Sequence, residues 1–407
     1  MYEIRTITAD DAELFRSRVS QGFGRDADHD ETSVQRFEAI FEYDRTFAAF
    51  EGGDIVGTCA AFSLGLTAPG GGEVPMGGTT VIAVRPTHRR RGVLRALMDA
   101  HLEEIESRGE PLAGLWASEG SIYGRFGYGP ATYKLNARID ARGVSFIEPD
   151  AKGSVRLIEG DDVEPTLRSV HERARPMRAG MLTRSDGWWT HRVMADPESW
   201  RGGKSAHRHV IHQEGGEVTG YAAFRQKSKW DDSLPRGEVS VTEVLATTPD
   251  AHRGLWRFLT SIDLFPNVEY WNLPVDDPLP LEVANHRLVS MKLEDGLWVR
   301  LMDISDALDA RAYQHDGEVV FTAHDSTRPA QTGIYRLEIV DGVGHCERVE
   351  TTPELELDVE VLGRLYLGGG DAHALAAAGR IEGNPGAVTR LHRIMRTDVA
   401  PWCPEVF

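Results

Sequence analysis

Val81-Ile82-Ala83-Val84-Arg85-Pro86-Thr87-His88-Arg89-Arg90-Arg91-Gly92-Val93-Leu94-Arg95-Ala96-Leu97-Met98 is the stretch on which the fold of this chain turns. Val81 to Val84 form a short apolar run rich in β-branched residues, as a buried strand has. Pro86 ends the ladder because it has no N–H to donate. Thr87 to Arg91 are polar and cationic. After Gly92, residues Val93, Leu94, Leu97, Met98 and Ile105 recur at helical spacing. A strand, a basic turn and a helix start in that order aim backbone N–H groups at one spot, at the positive end of a helix dipole. Such a turn suits a phosphate or pyrophosphate. Arg89, Arg90, Arg91 and Arg95 add fixed charge, and Gly92 lets a ligand approach the backbone.

The stretch lacks the G-x-x-x-x-G-K-[ST] spacing of a Walker A loop and the G-x-G-x-x-G of a dinucleotide fingerprint. On its residues alone it also reads as a solvated basic helix start; the flanking strand and helix favour the phosphate site. The core Arg89-x-x-Gly92 resembles the acetyl-CoA pyrophosphate loop of GNAT acetyltransferases, [QR]-x-x-G-x-[GA], with Leu94 in place of the last Gly or Ala. HRRRG followed by aliphatics resembles one branch, the Eis-type (enhanced intracellular survival) N-acetyltransferases. A second block, ASEGSIYGRFGYGPAT from Ala117 to Thr132, is similar to the same branch. The resemblance continues, more weakly, to the C-terminus. It implies an α+β chain with tandem GNAT-like domains, the second degenerate, followed by a sterol-carrier-protein-like domain. We place these at residues 1–150, 151–302 and 303–407.

Composition sets bounds on the rest. At 407 residues the chain is too long for one ordinary core, so two or three domains are expected. With 41% hydrophobic and 27% charged residues it reads as a soluble globular protein. Met1 to Ser20 has no apolar h-region and no run approaches a membrane span. Cys59, Cys346 and Cys403 form no CxxC pair, which argues against a zinc site or a disulfide framework and suits the cytoplasm. A net charge of −18 disfavours nucleic acid as a partner and would draw in a cationic substrate. No metal is expected.

Along the chain, Tyr2 to Ile7 reads as a strand, and Thr8 as a cap before a helix from about Asp10 to Ser20. Gln21 to Thr32 reads as a loop or lid, whose Asp26, Asp28, Asp30 and Glu31 suit a polyamine or a plain solvated face. Thr46 to Phe50 and Ile55 to Leu64 read as a hairpin turning at Glu51-Gly52-Gly53-Asp54. Leu112 to Trp116 reads as a further short strand. A weak repeat follows: Val244 to Pro249 and then Asp250 to Leu259 parallel the opening stretch, keeping Arg253-Gly254-Leu255 but not the arginine run. We read it as a second copy whose phosphate loop has decayed. Val319 to Ala323, Gly333 to Val340 and Leu355 to Glu360 are expected as strands. Val361 to Leu367 and Ala372 to Ala378 are expected as helix.

Acetyl transfer from a thioester to an amine needs both reactants held, a proton taken from the ammonium and a proton given to the thiolate. No G-x-S-x-G elbow and no persuasive Cys/His pair is present. Ser118-Glu119-Gly120 ends a strand beside the cofactor loop, where open α/β sheets place their sites. By resemblance, Tyr123 protonates the thiolate, with Tyr128 as second choice. A phenol with its ordinary pKa of about 10 stays protonated at neutral pH. By the same resemblance Ile82, Ala83 and Val84 bind the pantetheine arm. Arg90, Arg91, Gly92, Val93, Leu94 and Arg95 hold the pyrophosphate, and Ser118 and Glu119 line the far side of the cofactor. Phe23, Phe37 and Val81 are expected to line the acceptor pocket. The free carboxylate of Phe407 is the expected base. The resemblance further implies a homo-hexamer acting on cationic amines, such as aminoglycosides or lysine side chains. Another amine (a polyamine or a protein N-terminus) and a non-catalytic cofactor- or lipid-binding module are the alternatives.

Overall fold

The apolar run Val81 to Val84 is the end of a longer strand. The computed structural model describes residues 2–26, 31–148 and 151–407. Its first stretch builds β1 (Glu3–Thr6), α1 (Ala12–Gly22), α2 (Glu31–Ile40), β2 (Thr46–Glu51) and β3 (Asp54–Thr67). Then come β4 (Glu73–Val84), α3 (Val93–Ser107), β5 (Leu112–Trp116) and the short β6 (Gly129–Pro130). Gly52 and Gly53 both take positive φ at the β2–β3 turn, as two-residue hairpin turns of the primed kind require. Helix α2 starts inside the span expected as a loop, because Phe37 stacks on Phe41 at 4.4 Å and joins the buried cluster of Ile7, Phe15 and Ile55. Asp28 and Asp30 lie outside the described residues.

The chain continues with β7 (Tyr133–Asp140), β8 (Ser154–Ile158), α4 (Val163–Ala174), a single turn α5 (Asp186–Trp188), β9 (Arg208–Glu214) and β10 (Glu217–Lys227). A small ribbon, β11 (Trp230–Asp231) with β12 (Leu234–Pro235), precedes β13 (Glu238–Ala246), α6 (Pro249–Thr260) and β14 (Asn267–Pro274). A short α7 (Leu279–Glu282) and β15 (Val289–Asp295) follow. The last part comprises β16 (Leu297–Leu301), α8 (Ile304–Asp309), β17 (Gly317–His324), β18 (Gly333–Val340), β19 (Val343–Arg348) and β20 (Leu355–Asp358). It closes with α9 (Val359–Tyr366), α10 (Ala372–Ala377), β21 (Ile381–Gly383) and α11 (Pro385–Met395). The strand expected to reach Glu360 stops at Asp358. All of Val359–Tyr366 but Arg364 is buried, and a helix, which satisfies its backbone hydrogen bonds internally, suits a segment enclosed on nearly every side.

Three main sheets result. One runs β1-β2-β3-β4-β5-β16-β6, the second β15-β7-β14-β13-β10-β9-β8, and the third β19-β18-β17-β20-β21. The first two match position by position. In each, a strand–helix–strand unit makes the parallel pair, β4 with β5 through α3 and β13 with β14 through α6. The sixth place in the first sheet is taken by β16 from beyond residue 295. The corresponding place in the second sheet is taken by β7, from residues 133–140. Contacts accordingly gather into two units: Met1–Thr132, Ala179–His191 and Gly296–Phe407; and Tyr133–Arg178 with Arg192–Asp295. Among the described residues no helix is long and apolar enough to cross a membrane.

Within the first unit, α9 lies against β6 and β16 at backbone contact. A Cβ on Gly129 would strike the Glu360 carbonyl, and one on Gly363 would strike the Val299 carbonyl. Neighbouring Gly127, at φ 81°, leaves room for the guanidinium of Arg300, which is fully buried with Asp325. Two glycines of the Ile122–Gly129 block are therefore spent on packing the third sheet's α9 and Arg300, not on a ligand.

Candidate active site

The cleft begins where β4 leaves β5. The two strands pair from Met76↔Leu112 to Thr79↔Leu115 and then part, so Ile82, Ala83 and Val84 have β3 on one side and no ladder on the other. The parting coincides with an irregularity opposite Thr58–Ala60 and with Val81 at φ 47°. A β-branched residue in that region is strained by about 1–3 kcal/mol. Buried Thr58 donates from Oγ1 to the Val81 carbonyl at 2.7 Å and holds the kink in place. The freed edge offers backbone N–H and C=O groups to an extended chain that carries amides.

Next comes the basic turn. Arg90 at φ 61° and Gly92 at φ 85° turn successive N–H groups toward one concavity. Helix α3 has no side-chain cap and no acid in its first turn, so its first N–H groups have no partner within the helix. Arg95 occupies that first turn, the end of the dipole that disfavours a cation. Arg89, Arg90, Arg91, Gly92 and Arg95 are all exposed. The loop is pinned from behind: the Tyr2 hydroxyl donates to the Arg91 carbonyl at 3.1 Å, and His88 Nε2 lies 2.7 Å from Glu51. That contact holds the Glu51 carboxyl below its usual range and commits the His88 ring. Val93 turns inward onto Gly57, where a Cβ would come within 2.8 Å of it, so Val93 offers only its N–H. Leu94 and Ile82 pack on the buried cluster that contains Tyr123, Phe126, Tyr128 and Trp298.

The two tyrosines of that cluster are 6.4 Å apart, edge to face. Tyr128 is fully buried, and its hydroxyl lies 3.0 Å from Thr79 Oγ1, which is 2.6 Å from His101 Nε2. Burial, helped by Arg45, pulls His101 down to about 3 and keeps it neutral. Tyr123 is 5% exposed, and its hydroxyl interacts with Ser118 at the end of β5. Burial raises its pKa and the Ser118 hydrogen bond opposes the rise, so the phenol keeps its proton at neutral pH. Beyond Gly120 the chain forms a single helical turn, Gly124–Phe126, with Tyr123 at its start. Arg300 Nη1 donates to the Phe126 carbonyl at 2.6 Å and so braces that turn from behind. Ser118 and Glu119 are exposed beyond β5.

The C-terminus returns to this sheet. Trp402 N donates to the Ala179 carbonyl at 2.9 Å, and residues 180–183 pair with the end of β3 around Leu66. The Phe407 ring lies 6.4 Å from that of Phe62 on β3 and sits over Gly78 of β4, 3.3 Å from where a Cβ would stand. Of the residues expected to line the acceptor pocket, Phe37 is buried core, Val81 is half-buried and Phe23 is exposed. Sequence reasoning missed Arg184, Leu182 and Trp116, which hold the tail through Glu405. Each is remote from it in the chain and carries no local motif.

The corresponding loop of the second unit is built differently. Thr248 Oγ1 accepts from Ala251 N at 3.1 Å, capping α6, and Pro249 and Asp250 fill its first turn. Half-buried His252 lies 3.1 Å from Asp277 and 3.3 Å from Glu282. Burial alone would lower its pKa, but the two carboxylates outweigh it and push it up to about 9. Arg253 pairs with Asp250 at 3.3 Å. Side chains of the unit itself thus occupy the helix end that stands open at α3.

Residues 3–131 match a model of the GNAT acetyltransferase domain, residues 180–301 a second such model, and residues 304–404 one of the sterol carrier protein domain. An uncharacterized N-acetyltransferase of Streptomyces avermitilis is 40% identical over 409 residues, spanning 100% of this chain and 99% of that protein. The N-acetyltransferase Eis of Mycobacterium tuberculosis is 37% identical over 340 residues, 81% of this chain and 80% of its own. This chain belongs to the Eis-type N-acetyltransferases. The crystal structure of Eis1 from Mycobacterium abscessus superposes with a TM-score of 0.85 at 31% identity, covering 100% of both chains. A GCN5-related N-acetyltransferase from Anabaena variabilis, 18% identical, shares the fold with a TM-score of 0.87. Two GNAT domains followed by a sterol carrier domain is therefore the architecture of this Eis-type enzyme, as its sequence implies.

Proposed function

We propose that the enzyme transfers acetyl from acetyl-CoA to an amine of a cationic substrate, such as an aminoglycoside or a lysine side chain. The observation that carries this reading is the uncapped N-terminus of α3 and the arginine loop before it, beside the freed edge of β4. Ile82, Ala83 and Val84 take the pantetheine amides, as a departing strand edge can. Arg90, Arg91, Gly92, Val93, Leu94 and Arg95 take the pyrophosphate through N–H groups and guanidinium charge. Ser118 and Glu119 line the opposite side. The amine nitrogen attacks the thioester carbonyl, the C–S bond breaks, and Tyr123 gives its proton to the leaving thiolate. The Phe407 carboxylate accepts the ammonium proton, directly or through water.

One observation favours an amine of low charge, such as a protein N-terminus, over a polycation. The buried Glu405 carboxylate is taken up by Arg184 and is not free for a cationic acceptor. The test is release of free CoA thiol over a panel of aminoglycosides, polyamines, lysine peptides and peptides with a free N-terminus. Turnover with at least one class is expected; none with any would leave a non-catalytic module. The family resemblance makes a cytoplasmic homo-hexamer our expectation, checked by sedimentation.

A further inference from the structure

Glu405 is 3% exposed, two residues before the end of the chain. Its Oε1 accepts from Arg184 Nε at 3.0 Å and lies 2.9 Å from Arg184 Nη2; its Oε2 accepts from Leu182 N at 3.0 Å. Its carbonyl accepts from Trp116 Nε1, at the end of β5, at 2.8 Å. The Arg184 guanidinium stacks over Trp189, 4.9 Å from the ring centroid. A buried ion pair is weak evidence for stability, since apolar residues of similar size usually do as well there; its best-attested use is to set register. Here it sets the register of a chain end.

We propose that the Glu405–Arg184 pair is a positioning latch for the terminal carboxylate. Two residues reach about 7 Å at most, so an anchor at Glu405 confines the Phe407 carboxylate to a short arc. The Phe407 ring, seated over Gly78 one residue before the end of the β4–β5 ladder, closes that arc to one place beside the cleft. Glu405 and Arg184 act through Phe407 and need not touch the substrate. The inference rests on the reading of the Phe407 carboxylate as proton acceptor.

The test is the paired variant Glu405→Gln with Arg184→Met in the full chain, which removes both charges of the pair together. Acetyl-CoA affinity should stay within about twofold while kcat falls by about tenfold or more, because misplacing a reacting group by an ångström costs that much. Carboxypeptidase should release Phe407 at least about tenfold faster, read by intact mass; looser packing elsewhere would not do this selectively. Arg184→Lys, which keeps the charge without the fork, should fall between the parent and the paired variant on both readouts. It takes the paired variant's place if that protein fails to fold. A kcat within about twofold of the parent, or a lower kcat with Phe407 trimmed at the parental rate, overturns the latch. Deleting Val406 and Phe407 separates the two readings. If the shortened chain is fully active, the carboxylate's role fails and the latch with it. If it is dead while the paired variant is fully active, only the latch fails.

Discussion

Tyr123 and Tyr128 differ in what their hydroxyls are committed to. The Tyr128 hydroxyl belongs to a sealed hydrogen-bonded row with Thr79 and His101, whereas Tyr123 reaches Ser118 at the exposed end of β5. Tyr123→Phe should therefore leave acetyl-CoA affinity nearly intact and cut kcat by about 10²–10³, the usual loss of one general acid. A fully active Tyr123→Phe beside a dead Tyr128→Phe would transfer the role. His101 makes a second prediction. Its folded pKa, about 3, lies below the unfolded value near 6.5, so its contribution is present above pH 6.5 and fades as pH falls toward 3. Between pH 7.5 and pH 5 this group alone should remove about 2 kcal/mol of stability. His101→Gln should flatten that part of the acid limb in urea titrations. An unchanged slope would mean that the site admits water.

At the scale of elements, α3 and α6 are the same device in two conditions. One N-terminus has no cap, no acid and an arginine in its first turn; the other has Thr248, Pro249 and Asp250. An open end of this kind is stabilised by an anion, which suits it to the proposed pyrophosphate. Arg90→Ala with Arg91→Ala should weaken acetyl-CoA binding by roughly 2–4 kcal/mol, at about 1.5–3 for each charge-assisted phosphate bond. Calorimetry showing unchanged affinity would remove the loop from the site. The strand order explains why the first unit is not a linear segment, since β16 completes a sheet whose other strands all lie before residue 133.

At the scale of the whole molecule, two copies of the fold with one open loop predict one acetyl-CoA per chain. Calorimetric titration of the full-length protein should give a stoichiometry near one, and Arg90→Ala with Arg91→Ala should weaken that single event. A second saturable site would show that the α6 loop still binds. The chain must also end at Phe407 for its carboxylate to serve. A C-terminal affinity tag should abolish turnover while acetyl-CoA still binds, and an N-terminal tag should be tolerated better. Full activity with the C-terminal tag intact by mass spectrometry would leave water as the proton acceptor.

The strand, basic turn and helix start were readable from sequence because they are contiguous: strand, proline, arginines, glycine and helix succeed one another within Val81–Met98. The repeat at Val244–Leu259 was readable for the same reason, since it keeps Arg253-Gly254-Leu255 without the arginine run. Helical and strand periodicity likewise located β18 at Gly333–Val340 and the β2–β3 turn. Tertiary structure alone decided what depends on residues far apart in the chain. Gly127 and Gly129 lie in the second resemblance block and are needed by Arg300 and α9, which lie some 170 and 230 residues onward. The kink at Val81 depends on Thr58, the seat of the Phe407 ring on Gly78 and Phe62, and the burial of Glu405 on Arg184. Local sequence records which backbone conformations and charges a segment can offer. Which partner fills a cavity or neutralises a buried charge is settled only when the sheets pack, because burial sets the strength of both terms.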